Sequence, residues 1–228
     1  MQRLLERLRV GLPSFLAGPD DRRPAIQACR TDWLCTLPET IRLPVGIAKG
    51  LDALWEQSVQ ELREIGMPFV LAWRGGIRMG EWIRGDEPQL NVKEVLARRD
   101  VVGLFHTHEV GLEGVAFSAA DLHVLLVSRW LFLGVRTGQQ CFLAVRPNHL
   151  SWSPSETNVV RSYGESILFE EMGAMDQSGE PYQDAVVGMN CRLCSRYGLA
   201  LYGNSSTGTD NRTLQRIHPQ IWRARDAH

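Results

Sequence analysis

A chain of 228 residues with 44% hydrophobic side chains can bury one sizeable core, either as a single domain or as a smaller module carrying extensions. Lys plus Arg number 25 against 26 Asp plus Glu, and no Lys/Arg block stands out, which argues against nucleic acid as a main partner. The five cysteines (Cys29, Cys35, Cys141, Cys191, Cys194) are odd in number and scattered, unlike a secreted disulfide framework, and no apolar run is long enough for a secretory signal or a membrane span. A soluble cytoplasmic protein with reduced thiols is expected.

Residues 1–10 alternate Arg and Leu and suggest a short helix, while residues 11–48 are rich in Pro, Asp and Arg and read as an extension wrapping the domain. From Leu51 to about Glu64, the apolar residues Leu51, Leu54, Trp55, Val59 and Leu62 recur at helical spacing, with Gly66 as the expected stop. Phe69–Trp73 and Ile77–Ile83 flank Arg74-Gly75-Gly76 and predict a hairpin. Val92–Arg99 reads as a short helix and Val101–Phe105 as a buried strand ending where His106 begins. Ser118–Val127 predicts a helix with Ser118 as N-cap and Asp121 three residues later. Phe132–Arg136 and Cys141–Val145 form a second hairpin around 137–140. The chain from Glu156 onward reads as mainly helical, with a polar break at 203–211. The order predicts a mixed α/β (α+β) domain over 49–150, preceded by an extension at 1–48 and followed by a mainly helical one at 151–228.

The chemistry concentrates where the buried strand ends. His106 and His108 are two residues apart, and extended backbone puts both imidazoles on one face, a pair that suits zinc. Asp121 stands in the first turn of the next helix, where the intervening loop can fold it back as an oxygen ligand. Three protein ligands leave a fourth position for water, the arrangement of a catalytic zinc site, and hydrolysis is its natural use.

His106-Thr107-His108 followed by Phe117-Ser118-Ala119-Ala120-Asp121 resembles the His-x-His…Ser-x-x-Asp signature of the JAMM (MPN+/JAB) zinc metalloproteases, over roughly residues 50–147. Glu109 stands where that family commonly has proline, and the loop to Ser118 is longer. The resemblance implies an MPN-type mixed sheet flanked by helices, with His106, His108 and Asp121 as zinc ligands and Ser118 as a donor to the oxyanion. It also implies cleavage at the C-terminus of ubiquitin or a ubiquitin-like protein, in a pathway with activating and conjugating enzymes. Trimming of a sulfur-carrier protein is the same chemistry on another substrate, and an inactive MPN-like scaffold is the non-enzymatic alternative.

A general base is also needed. Glu81 is preferred, because a turn centred on Gly75-Gly76 pairs it near Val70; Glu64 has the family's usual separation from His106 but falls at a predicted helix end, and the loop acids Glu109 and Glu113 remain in reserve. Cys191-Arg192-Leu193-Cys194 lies in a probable helix with no second pair and reads as structural, as do Trp55, Trp73, Trp82, Trp130 and Trp152. No partner is assigned to His123, His149, His218 or His228.

Overall fold

Val101–Thr107 is buried at all seven positions, which places it inside a sheet covered on both faces. The computed structural model describes residue 34 and residues 37–72, 76–85, 90–108, 115–138, 140–147, 151–178, 182–204 and 212–218. Expectations for residues 1–10, Cys29, Cys35, Trp73, Glu109, Glu113, His149 and His228 lie outside these.

The described strands are β1 (Thr40–Arg42), β2 (Ile65–Leu71), β3 (Ile77–Met79), β4 (Ile83–Arg84), β5 (Val101–Thr107), β6 (Phe132–Thr137), β7 (Gln140–Val145), β8 (Ala200–Gly203) and β9 (Thr213–Arg216). They form one mixed sheet in the order β1-β9-β8-β7-β6-β5-β2-β3, with β4 also on β2. The β5–β6 pair is parallel, and its crossover carries the helix that follows the histidines. The helices are α1 (Val45–Glu61), α2 (Lys93–Ala97), α3 (Ala119–Val127), α4 (Pro154–Asn158), α5 (Val160–Ser178) and α6 (Tyr182–Tyr197). The architecture is therefore mixed α+β. Among the described residues, no helix is long and apolar enough to cross a membrane.

Two cores follow from strand alternation. Phe69, Phe105, Phe132 and Leu143 face Leu51 and Leu54 of α1, while Leu104, Leu133 and Val135 face Leu122 of α3, Ile167 of α5 and Leu193 of α6. Phe69, Phe105 and Phe132 pack as a cluster with ring centroids 5.4–6.1 Å apart. This cluster depends on two glycines. A Cβ at Gly103 would strike the Phe132 ring, and one at Gly134 would strike the Phe105 ring. Gly134→Val is expected to destabilise the protein by about 1–3 kcal/mol through overpacking, read as a lower urea midpoint. An unchanged midpoint would mean that Phe105 has room to move.

Local expectations for α2, α3, β5, β6 and β7 agree with the structure within a few residues, although β5 runs on through His106 to Thr107. Three differences are larger. First, α1 stops at Leu62, which takes a left-handed conformation at φ 51°, so Gly66 is not the stop but a β2 residue opposite His106. Ser58 helps to hold this ending: its carbonyl accepts from Arg63 N–H and its hydroxyl donates to the Arg63 carbonyl.

Second, the hairpin register differs from expectation: Val70 lies opposite Arg78, not near Glu81. Pro68 in β2 has no N–H to donate, and beside it the partner strand breaks into β3 and β4, leaving Gly80–Trp82 unladdered. Gly80 N–H still donates to the Pro68 carbonyl at 2.7 Å.

Third, the segment after residue 150 is not only helical. Its β8 pairs with β7, and β9 pairs with β1 from the N-terminal segment, so residues of all three expected parts share one sheet. Tyr202 Oη donating to the Pro38 carbonyl at 2.9 Å adds a further tie between the flanks.

Candidate metal centre

Alternation along β5 points Leu104, His106 and, just beyond the strand, His108 to the α3 side of the sheet, and Phe105 and Thr107 to the α1 side. Thr107 is fully buried there; its Oγ1 accepts from Ile65 N–H at 3.0 Å and donates to Ser58 Oγ at 2.8 Å. The residue between the histidines thus anchors the strand end to α1 and to the start of β2.

Asp121 is delivered by the first turn of α3. Ser118 is its N-cap in a complete capping box: Ser118 Oγ accepts from Asp121 N–H at 3.1 Å, while Asp121 Oδ2 accepts from Ser118 N–H at 2.8 Å and from Ser118 Oγ at 2.7 Å. The carboxylate so held faces both imidazoles. Asp121 Oδ1 is 3.3 Å from His106 Nε2, and Oδ2 is 3.4 Å from His108 Nε2.

His106 and His108 are only 3% and 5% exposed, and both ring nitrogens of His106 and Nδ1 of His108 are buried without a hydrogen-bond partner. Buried polar atoms are normally satisfied, so such a group calls for an explanation. One atom from each of His106, His108 and Asp121 lies within 4.8 Å of the others, and together they could hold a metal ion, which would take up His106 Nε2, the orphaned nitrogen that faces Asp121. Two imidazoles and a carboxylate are nitrogen and oxygen donors of the kind transition metals take.

Glu64 lines the same cleft. It sits immediately before β2, brought to that edge by the left-handed turn at Leu62 and by pairing of Gly66 with His106. Glu64 Oε2 accepts from Leu90 N–H at 3.1 Å. Burial raises the pKa of its carboxyl, while His106 and His108 act against that rise. Burial likewise opposes ionisation at Asp121, yet the charges of His106 and His108 hold it well below the usual carboxylate range. At His106 burial disfavours the imidazolium, but Asp121 and then Glu64 raise its pKa overall. The four groups are thus one electrostatic unit.

Glu81 is exposed, lies in the break between β3 and β4, and is not among the residues lining this cleft. The sequence-based preference for it fails on register. Ser118 stands at the cleft with its side chain committed to Asp121.

The cleft has a volume of about 1180 Å³ and runs from Glu64 and Leu90 past the cluster to the C-terminal helices. Arg161, Glu165 and Leu168 of α5 and Tyr182, Val186 and Met189 of α6 form that far wall. The sequence reading missed them, since their helical spacing shows only that some face is buried. His123 also lines it, its pKa lowered by burial and by Arg161, while His218 pairs with Glu39 at 2.7 Å, far along the sheet at β9. Cys191 and Cys194 are buried in α6, and burial raises both thiols, Cys191 to about 12, in keeping with a structural reading.

Comparison with known proteins returns nothing for the chain: no family model matches it, and neither a curated protein nor a solved structure matches it significantly.

Proposed function

We propose that this protein is a zinc-dependent hydrolase of the JAMM type, cleaving the peptide or isopeptide bond that follows the C-terminus of a ubiquitin-like protein. The observation that carries the reading is the placement of Glu64: an acid outside the His106–His108–Asp121 set lines the same cleft and interacts electrostatically with all three. A structural metal site needs no such neighbour, whereas hydrolysis by an activated water needs a proton acceptor that is not itself a ligand.

His106, His108 and Asp121 would hold the ion. Zinc in that place would supply the charge that lowers the pKa of a bound water from about 16 to roughly 7. Glu64 would hold the proton lost by the attacking water and return it to the amine nitrogen as the C–N bond breaks. The Ser118 hydroxyl, whose one proton goes to Asp121 Oδ2 in this structure, would turn to the developing oxyanion to donate there.

The choice of substrate rests on the resemblance of the His-x-His…Ser-x-x-Asp pattern and on cleft size. A volume of about 1180 Å³ lies above the usual range of small-molecule pockets, roughly 300–1,000 Å³, and suits several residues of extended chain. A substrate of this kind places the protein alongside activating and conjugating enzymes.

The test is incubation with a panel of ubiquitin-like proteins fused to a C-terminal reporter, followed by intact-mass analysis. Release at the modifier's C-terminus, abolished by chelator and restored by zinc, is expected. Intact fusions with zinc-loaded protein would favour the inactive scaffold instead.

A further inference from the structure

We infer that Asn190, on the C-terminal helix α6, is a positioning residue for the metal site, acting through the backbone of Phe117 on the Ser118–Asp121 corner. The inference rests on the metal-site reading above and extends it to a part of the chain outside the resemblance.

Asn190 is fully buried, 73 residues along the chain from its partner. Its Nδ2 donates to the Phe117 carbonyl at 2.7 Å, and its Oδ1 accepts from the Phe117 N–H at 2.9 Å. Chemistry fixes the orientation of this amide, because the reverse would set donor against donor and acceptor against acceptor. Residues 115–118 are not in a strand, so no ladder pairs Phe117; the Asn190 side chain satisfies both its backbone groups as a neighbouring strand would.

The next residue is Ser118, whose N–H and hydroxyl both donate to Asp121 Oδ2. Hydrogen bonds joined through the Phe117–Ser118 peptide therefore connect α6 to the carboxylate facing His106 and His108. Packing holds the same corner from another side. A Cβ on Gly164 of α5 would lie 2.5 Å from the Ala119 Cβ and 3.2 Å from Leu193 Cδ1 of α6, so α5, α6 and the first turn of α3 meet with no space between them. Met189, preceding Asn190, lines the cleft itself. The C-terminal helices thus set the geometry of a site whose candidate ligands all lie before them.

The experiment uses the full chain, zinc affinity by competition with a chromophoric chelator, and cobalt(II) as a spectroscopic probe. Asn190→Ala is expected to lose about tenfold in zinc affinity, the lower end of what removal of an outer hydrogen-bond partner costs, and to alter the visible cobalt bands. Tyr197→Phe, which removes a different α6 hydrogen bond to the Glu156 carbonyl, should leave both unchanged. Asn190→Asp keeps the shape but donates to the Phe117 carbonyl only when protonated, so its zinc affinity relative to wild type at each pH should recover as pH falls. Wild-type affinity and spectrum in Asn190→Ala, or equal loss in Tyr197→Phe, would overturn the inference. If Asn190→Ala does not fold, a pH-independent ratio for Asn190→Asp overturns it. Wild type that binds neither metal overturns this inference and the metal-site reading together.

Discussion

Asp121→Ala is expected to leave the protein without stoichiometric zinc and without hydrolytic activity. Asp121 is the one candidate ligand that faces both imidazoles, Oδ1 towards His106 and Oδ2 towards His108. It is also the only acid among the three, so its loss removes a donor and the negative charge that offsets a divalent cation at a buried site. Ser118→Ala provides the contrast. It keeps the carboxylate but deletes the cap and the hydroxyl hydrogen bond to Oδ2, at a cost of about 0.5–2 kcal/mol in stability. Zinc should still bind stoichiometrically, at about tenfold lower affinity from the lost outer hydrogen bond, while turnover of the loaded protein falls by a factor of about 10²–10³, the usual effect of losing one oxyanion donor. Elemental analysis after gel filtration, paired with the fusion-cleavage assay, reads both variants. Equal zinc loss in the two would show that Ser118 works chiefly by holding Asp121 in place.

Glu64→Gln is expected to fold and bind zinc as wild type does while turnover falls by a factor on the order of 10² or more. Glutamine keeps the size of the side chain and an oxygen that can accept from Leu90 N–H, so the start of β2 is held as before. What it removes is the carboxylate's basicity. Glu81→Gln, run in parallel, should cleave like wild type, because Glu81 is exposed and outside the cleft. Inactivity of Glu81→Gln with full activity of Glu64→Gln would reverse the assignment.

The contrast between these two acids shows what was legible in the sequence. His106, His108, Ser118 and Asp121 could be found because each follows from a local pattern: a buried strand end, spacing of two in extended backbone, and an N-cap with an acid three residues on. The structure brings all four together at one cleft. Choosing between Glu64 and Glu81 required strand register, which is not local. It turned on a left-handed Leu62 that ends α1 early and on a proline that breaks the partner strand, and neither leaves a periodic trace. The β8 run Ala200-Leu201-Tyr202-Gly203 is a short apolar stretch directly after a helix, where periodicity cannot tell strand from helix. Asn190 shows the same limit. Nothing in the local pattern of α6 singles it out; its part shows only once the fold sets the Phe117 backbone against it.

The proposed function requires a zinc ion held by His106, His108 and Asp121 with Glu64 beside it. Crystals grown with zinc and measured on both sides of its absorption edge test this most directly. One anomalous peak per chain is expected, enclosed by the two imidazoles and the Asp121 carboxylate, with the Glu64 carboxylate facing it. No peak there, or a peak held by other residues, would contradict it.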